Sequence, residues 1–297
     1  MKLAGIYPIV PTPFDESGRI DPESIQRLTA FMAGCGVQGL AILGVMGEAQ
    51  KLNDAERVEV IKAFRTALPE NLALVVGVRA AGTDPAVDQA RTAQDLGANA
   101  LLVGPPPIQK DGAIFTYYQR VAQAVDVPLV IHDYPASTGI LMSPELIARL
   151  HREVEGIPYI KLEDPPTGPK MDRVRELAGD PLGVFGALGG MYAFEELDRG
   201  ALGIMTGFAY PELLVDLYQR YSKGDVAGAA TLFYDMLPLI RFEFQPGMGI
   251  SLRKHILVQR GIIRTATIRH PGAQADARTL EHLERILDHM RQRGYKV

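Results

Sequence analysis

The stretch Tyr159-Ile160-Lys161-Leu162-Glu163-Asp164-Pro165-Pro166 joins a short apolar run to one lysine, two carboxylates and two prolines. We expect a strand over residues 159–161, because proline has no N–H to donate and therefore ends a ladder. Lys161 then lies at the carboxyl end of a buried strand, where loss of water disfavours the ammonium form. A neutral amine can attack a ketone and form a Schiff base. The alternative is an ordinary surface lysine at a strand end.

Strand-like and helix-like runs alternate through the first 210 residues. The predicted strands are 6–10, 39–43, 72–78, 100–103, 127–131, 159–161, 183–185 and 203–206. The predicted helices between them are 21–35, 53–68, 83–96, 114–124, 143–150, 171–178 and 191–199. Continuous apolar strands indicate a parallel sheet that is buried on both faces.

This alternation predicts a (β/α)8 barrel. The alternative is an open doubly wound sheet, which is disfavoured because no Gly-x-Gly-x-x-Gly turn follows the first strand. From residue 211 onward the strand pattern disappears, and helices are predicted over 211–223, 226–237, 252–260 and 279–292. We therefore divide the chain into a barrel, 1–210, and a C-terminal helical extension, 211–297. The extension either packs on the barrel or forms an oligomer interface.

Composition and charge exclude several classes of protein. The net charge of -4 gives no basic surface for nucleic acid. The single cysteine, Cys35, cannot form an intrachain disulfide, which is typical of the cytoplasm. No apolar run approaches the roughly 20 residues that span a bilayer, and the N-terminal residues lack the apolar core of a signal peptide. The six histidines are scattered and form no metal-ligand motif. We expect a cytoplasmic protein with neither membrane nor nucleic-acid partners.

A glycine-rich turn follows the second predicted strand. Active sites of such barrels lie at the carboxyl ends of the strands. The turn reads Gly44-Val45-Met46-Gly47-Glu48, and its glycines allow backbone N–H groups to approach an anion closely. We expect it to bind the carboxylate of a small keto acid. The alternative is a tight turn in which the glycines adopt positive φ.

Other chemically capable residues follow later strands. His132, Asp133 and Tyr134 come at the fifth strand end, where the alternative is a capped loop. Glu163 lies two residues after Lys161, so an extended chain puts both on the same side. Burial can raise the pKa of such a carboxyl towards neutrality and suit it to proton transfer, although a salt bridge is the alternative. The other candidates for substrate contact are Asp133 and, after strands seven and eight, Gly186, Leu188 and Thr206.

The chain contains Pro11-Thr12-Pro13-Phe14, Gly44-x-x-Gly47-Glu48, Pro135 with Thr138-Gly139, and Ile160-Lys161. Through a match that includes these motifs and spreads over nearly the whole chain, it resembles the dihydrodipicolinate synthase / N-acetylneuraminate lyase family. The resemblance implies a (β/α)8 barrel, commonly a tetramer, that acts on pyruvate-like 2-keto acids. It implies that Lys161 forms an imine with the substrate. This chemistry needs neither a metal nor a redox cofactor.

The departures from the family's synthase concern its hydroxyl groups. Val45 and Met46 stand where the synthase usually has two hydroxyl residues, and His132 stands where it has a proton-transferring tyrosine. Ser137 replaces an arginine that binds the aldehyde substrate's carboxylate, and Pro106-Pro107 replaces a tyrosine pair. The hydroxyl relay is therefore missing, and we do not expect a role in lysine synthesis.

The remaining pattern combines His132-Asp133-Tyr134-Pro135 with the stretch that begins at Lys161. It looks most like the 2-keto-3-deoxy sugar-acid dehydratase branch, in particular the L-2-keto-3-deoxyarabonate dehydratases. This likeness implies a Schiff-base dehydratase in which Glu163 is the first candidate for proton transfer, followed by His132 and Tyr134. The alternatives are a pyruvate-dependent aldolase on the same scaffold and a non-catalytic keto-acid-binding paralogue. We expect a homo-oligomer, either a tetramer or a dimer.

Overall fold

Eight parallel strands form the centre of the molecule. The computed structural model describes residues 2–179 and 182–297. The strands are Gly5–Ile6 (β1), Gly39–Ile42 (β2), Ala73–Val78 (β3), Ala100–Val103 (β4), Leu129–Asp133 (β5), Tyr159–Leu162 (β6), Gly183–Gly186 (β7) and Gly203–Ile204 (β8). From β2 to β8 each strand pairs in parallel with the next along the chain, and β8 pairs with β1.

Hydrogen bonds between the first two strand regions close the sheet. Ala41 N–H donates to the Pro8 carbonyl (2.9 Å), and Val10 N–H donates to the Ala41 carbonyl (3.0 Å). The predicted (β/α)8 barrel is thus confirmed, and the open doubly wound sheet is excluded. The first strand was predicted over 6–10, but regular pairing stops at Ile6 because Pro8 has no N–H for the ladder. Beyond it, Ile9 N–H still donates to the Thr206 carbonyl (3.0 Å).

Helices surround the barrel and continue beyond it. They are Pro22–Gly34 (α1), Asp54–Ala67 (α2), Thr83–Asp95 (α3), Asp111–Ala122 (α4), Pro135–Thr138 (α5), Pro144–Glu153 (α6), Thr167–Ala178 (α7), Ala193–Asp198 (α8), Pro211–Ser222 (α9), Val226–Glu243 (α10), Gly249–Gln259 (α11) and Ala277–Gln292 (α12). Asp21 and Ser143 are the N-caps of α1 and α6: the Asp21 side chain accepts from Ser24 N–H and the Ser143 side chain from Leu146 N–H. Asn53 and Glu56 form a capping box at α2.

Several helix bounds differ from the prediction. The short helix α5 was not predicted, and α10 continues to Glu243 instead of ending at residue 237. Pro238 lies inside α10 on its exposed side, so the Tyr234 carbonyl that loses its bond can meet water. The buried apolar residues on both sides of the proline outweigh the broken bond. The helix α9 packs on α8 and β1, in the position of an eighth barrel helix. The division of the chain at residue 210 stays a prediction.

The core has two layers, which follow from the alternation of side chains along each strand. The inner cluster fills the barrel and includes Val75, Val130, Tyr159 and Phe185. The outer cluster lies between the strands and the helices and includes residues such as Ile131. Within residues 2–179 and 182–297, no helix is long and apolar enough to cross a membrane.

Candidate active site

Two neighbouring strands place a lysine, a histidine and a glutamate inside the barrel mouth. His132 of β5 lies beside Lys161 of β6 in register. In each strand the side chains alternate, so Tyr159 and Lys161 point inward while Leu162 points outward. Glu163 follows the strand and returns to the inner side, as predicted. All three polar side chains are buried, and Lys161 is only 3% exposed.

These three side chains, the Lys161–Glu163–His132 cluster, are in direct contact. Lys161 Nζ donates to Glu163 Oε2. His132 Nε2 lies 2.9 Å from the same carboxylate oxygen and 3.3 Å from Lys161 Nζ. The other carboxylate oxygen, Oε1, accepts from the Leu188 N–H at 3.1 Å. One amine, one imidazole and one carboxylate therefore meet at one point at the carboxyl ends of β5 and β6.

Burial and mutual charge set the protonation of the cluster. Burial lowers the pKa of the Lys161 ammonium below its ordinary value, in the direction that favours a nucleophilic amine. Burial, together with the Lys161 charge, also lowers the pKa of His132. For Glu163, burial raises the pKa, but the charge on Lys161 and the His132 hydrogen bond outweigh it and hold the pKa at about 2. The expectation that burial raises the pKa of Glu163 towards neutrality was wrong, and the alternative, a salt bridge with a lysine, is what the structure has.

Tyr134 is the fourth proton-transfer candidate, and it borders the cluster. Its ring centroid lies 5.8 Å from Lys161 Nζ, and its ring stacks on His132 with 5.9 Å between centroids. Burial raises the pKa of its hydroxyl, so the group is neutral at physiological pH. The structure thus brings Tyr134 together with the cluster without a direct bond.

Asp133 was predicted to bind substrate, but the structure does not bring it to the mouth. It occupies the opposite side of β5 from His132 and lies 2.7 Å from Lys170 Nζ of α7. Burial raises its pKa to about 6. Asp133 therefore pairs with a helix on the outside of the barrel, because neighbouring residues of a strand face opposite sides.

The glycine-rich turn after β2 borders the mouth beside His132. Neither Gly44 nor Gly47 has positive φ; the left-handed residues of this segment are Leu43 and Glu48, with φ of 55° and 53°. The glycines serve close packing instead, since a Cβ on Gly47 would lie 3.0 Å from the Leu43 nitrogen. Gly47 N–H donates to Gly44 within the turn. In the described part of the chain, the backbone N–H groups of residues 44–46 remain as candidate hydrogen-bond donors to a bound anion.

Two residues of this turn, Met46 and Glu48, contact the C-terminal extension. Met46 Sδ lies 2.8 Å from Nη1 of Arg253, a buried α11 residue. Glu48 was predicted to contact substrate, but its oxygens accept from Lys254 Nζ (2.7 Å) and Lys51 Nζ (2.8 Å). Glu48 therefore anchors the extension to the barrel, away from the Lys161–Glu163–His132 cluster.

Of the residues predicted at β7 and β8, Leu188 contacts the cluster, but Gly186 does not face the mouth, because Phe185 points inward and its neighbour in the strand points to the helices. Leu188, with φ of 40°, donates its N–H to Glu163 and so orients the carboxylate. Gly186 packs against Glu196 of α8, where a Cβ would lie 2.2 Å from the carboxylate. Thr206 is buried beyond β8, and its carbonyl accepts from the Ile9 N–H, which extends the pairing of β8 with the β1 region.

Sequence reasoning missed several charged residues near the mouth. Glu196 is buried, and burial raises its pKa to about 8. Its spacing with Ala193 and Leu197 puts it on the apolar face of α8, which is the signal that could have revealed it. Arg79, directly after β3, lines a cavity of about 40 Å³ together with Gly44, Val45 and His132. Among residues 2–179 and 182–297, no group of three or more potential ligands is arranged to hold a metal ion.

A family model described as the dihydrodipicolinate synthetase family matches residues 2–290. The chain belongs to this family. The chain is 30% identical over 274 residues to an L-2-keto-3-deoxyarabonate dehydratase of Azospirillum brasilense, covering 90% of this chain and 88% of that protein. It is 29% identical over 248 residues to the probable 2-dehydro-3-deoxy-D-pentonate aldolase YjhH of Escherichia coli, covering 80% and 81%.

The fold is likewise that of solved members of the dihydrodipicolinate synthetase family. A crystal structure of dihydrodipicolinate synthase from Rhodopseudomonas palustris superimposes with a TM-score of 0.92 at 36% identity and covers 97% of both chains. Dehydratases, aldolases and synthases all occur among the similar proteins. The family therefore establishes a lyase, and it leaves the substrate to be inferred from the site.

Proposed function

We propose that this protein is a lysine Schiff-base lyase that dehydrates a 2-keto-3-deoxy sugar acid, with L-2-keto-3-deoxyarabonate as the first candidate. The observation that carries the proposal is the buried Lys161–Glu163–His132 cluster at the barrel mouth. The likeness to the Azospirillum dehydratase and the Val45-Met46 departure from the synthase motif support the same choice.

The first step joins the substrate to Lys161. Burial favours the neutral amine, which attacks the C2 ketone. The carbinolamine loses water and becomes a protonated imine. The positive charge on this imine replaces the ammonium charge next to Glu163, so the carboxylate stays ionised and able to accept a proton.

The second step removes water from C3 and C4. The imine acidifies the C3 protons, and Glu163 takes one of them to give an enamine. The enamine electrons then form a C3–C4 double bond as the C4 hydroxyl leaves with a proton. His132, hydrogen-bonded to Glu163 at 2.9 Å, can pass that proton, and Tyr134 can donate one from the side. Hydrolysis of the imine releases the dehydrated keto acid and regenerates Lys161.

An aldolase is the second candidate, favoured by the likeness to the Escherichia coli pentonate aldolase. It forms the same imine, but a base removes the C4 hydroxyl proton and the C3–C4 bond breaks. The non-catalytic alternative is less consistent with the site, since simple binding of a keto acid does not need a buried lysine. Burying an ammonium group costs free energy, and such a cost is expected where the lysine has a chemical role.

Trapping and product analysis test the proposal. The wild-type protein, incubated with pyruvate and borohydride, should gain the mass of a reduced adduct. Lys161→Ala should lose both trapping and turnover while keeping its fold, whereas the exposed control Lys62→Ala should behave as wild type. NMR of the products from a panel of 2-keto-3-deoxy acids should show water loss without release of pyruvate. Trapping that persists in Lys161→Ala would move the imine to another lysine.

We also infer that the protein is a cytoplasmic homo-oligomer, on the family resemblance and the single cysteine. Light scattering coupled to size exclusion should give a mass of two or four chains. A mass of 32.4 kDa would contradict the oligomer.

A further inference from the structure

Lys170, in the first turn of α7, contacts three separate segments on the helix side of the sheet. Its Nζ donates to Asp164 Oδ2 and to the Met142 carbonyl, both at 2.7 Å. The same atom lies 2.7 Å from Asp133 Oδ2. An ammonium group has three N–H donors, so it can serve all three oxygens. Lys170 therefore joins the end of β5, the chain after β6 and the loop that leads into α6.

Two of these segments carry members of the Lys161–Glu163–His132 cluster. Asp133 directly follows His132, and Asp164 directly follows Glu163. The Glu163 N–H also donates to the Asp133 carbonyl at 2.8 Å. His132 and Glu163 point into the mouth while their neighbours contact Lys170 on the opposite side. The contacts of Lys170 thus constrain the backbone from which both cluster side chains project.

Strand pairing supports Lys161 more directly than Glu163. Lys161 lies inside β6, in register with His132 of β5 and Phe185 of β7, so neighbouring strands hold its backbone on both sides. Glu163 lies beyond Leu162, the last residue that β6 pairs with these strands. Lys170 supports the part of the site that the sheet itself constrains less.

The contact between Lys170 and Asp133 is an ion pair with little water around it. Asp133 is fully buried, and the Lys170 side chain is 9% exposed. Burial raises the pKa of Asp133 to about 6, while the Lys170 charge acts in the opposite direction and stabilises the ionised carboxylate. Salt and solvent screen such a buried pair much less than an exposed one.

We propose that Lys170 is a positioning residue for the water-loss step: it holds Glu163 and His132 in the relative geometry that proton transfer needs, without touching the substrate. The proposal rests on the proposed function, because it assigns these two residues to that step. A displacement of about 1 Å can cost about 10²-fold in rate. Imine formation uses Lys161 and should not depend on Lys170.

The test separates the two steps of the reaction. Lys170→Met keeps the length of the side chain and removes its charge and donors. It should lower kcat for dehydration about 10²-fold, change KM less than about threefold, and leave the rate of pyruvate trapping by borohydride unchanged. Lys170→Arg keeps the charge and donors and should recover most of kcat. The control Arg173→Met alters an exposed cation of the same helix and should match wild type.

Lys170→Met leaves the buried Asp133 without its cation, so two milder variants ensure that a folded protein is measured. Lys170→Met combined with Asp133→Asn removes both charges and should lose kcat to the same extent. Asp164→Ala removes one of the three contacts, keeps the pair of Lys170 with Asp133, and should lose about 3–10-fold in kcat, the scale of one hydrogen bond.

The hydrogen bond between His132 and Glu163 provides a readout without turnover. In the unliganded wild type, the NMR signal of the His132 Nε2 nitrogen should be that of a hydrogen-bonded ring nitrogen. Lys170→Met should move this signal towards its position in Glu163→Leu, in which the bond is absent, and Arg173→Met should leave it in place. If the wild type neither traps pyruvate nor turns over, the lyase proposal fails, and the nitrogen signal still decides whether Lys170 positions the two side chains.

Three results would overturn the role of Lys170. Equal losses of trapping and dehydration in Lys170→Met would mean that Lys170 supports the whole site. A wild-type kcat in the variant that combines Lys170→Met with Asp133→Asn would mean that the contacts do not matter for water loss. An unmoved His132 signal in Lys170→Met would show that the two side chains keep their geometry without the lysine.

Discussion

Glu163 accepts from Lys161 and from the Leu188 N–H, so a neutral glutamine can keep its place in the site. Glu163→Gln should therefore still form the imine, because the lysine is untouched. It should lose dehydration by about 10²-fold or more, the usual scale of general acid–base catalysis, since an amide cannot take the C3 proton. Single-turnover mass spectrometry separates imine formation from water loss.

His132→Phe is the matched comparison for that variant, because it removes the second partner of the same carboxylate. It should lose less than Glu163→Gln, since Glu163 keeps its charge and its bond to Leu188. If His132→Phe stops water loss while Glu163→Gln dehydrates at nearly the wild-type rate, the two roles are exchanged.

Glu196 predicts a pH dependence of stability. Its pKa is about 8 in the folded protein, above the ordinary glutamate value of 4.5. Between these values the folded state binds a proton that the unfolded state lacks, so the free energy of unfolding falls as pH rises, by up to about 1.4 kcal/mol per pH unit. Glu196→Gln should remove this part of the fall, because an amide resembles the protonated carboxyl at every pH.

Urea unfolding at pH 5.5, 6.5 and 7.5 measures that slope. The exposed control Glu281→Gln should keep the wild-type slope. Glu243, whose pKa burial raises to about 7, should leave some pH dependence in Glu196→Gln. Identical slopes in wild type and Glu196→Gln would mean that Glu196 is ionised in the folded protein.

At the scale of elements, the helix α10 contains a proline, Pro238, whose free-energy cost is outweighed by the packing of the helix. Pro238 removes one backbone bond in the middle of the helix and crowds the preceding turn, at a cost of roughly 3 kcal/mol. Because its side chain is exposed, Pro238→Ala should leave the buried face intact. After about 1 kcal/mol is subtracted for the more flexible unfolded chain, the free energy of unfolding should rise by about 2 kcal/mol. Chemical denaturation measures the change, and a loss of stability would show that the proline is needed for the course of the helix.

At the scale of the whole molecule, a buried ion pair joins the barrel to its extension. Glu48 accepts from Lys254 Nζ at 2.7 Å, and both side chains are fully buried. Burial lowers the pKa of Lys254 to about 8, against the Glu48 charge that raises it. Glu48→Gln should cost about 3–5 kcal/mol, because the lysine charge is left without its partner.

A double-mutant cycle tests this anchor. Glu48→Gln combined with Lys254→Met should recover most of the loss, since the fully buried charge of Lys254 is removed together with its partner. In the exposed pair Arg149–Glu153, Glu153→Gln should cost less than about 1 kcal/mol. If the losses at Glu48 and Lys254 simply add in urea unfolding, the pair does not act as a unit.

Much of the fold and the centre of the site could be predicted from local sequence. Apolar runs at regular spacing indicated eight strands, and covalent geometry put Lys161 and Glu163 on one side of the chain. The N-caps at Asp21 and Ser143 likewise depend only on residues within a few positions along the chain. These features depend on neighbours within a few residues, so the chain carries them before it folds.

Only the tertiary structure determined which distant residues contact one another in and around the site. His132 faces the mouth and Asp133 faces α7 because packing determines which side of β5 points into the barrel. The alternation of side chains along the strand would be the same if the opposite side pointed inward. Glu48 meets Lys254, 206 residues away in the chain, and no local pattern marks such a pair. Arg79 likewise reaches Ser137 only after the barrel closes. Alternation is a property of the backbone, whereas the direction of the interior and the partner of a buried charge depend on where distant elements pack.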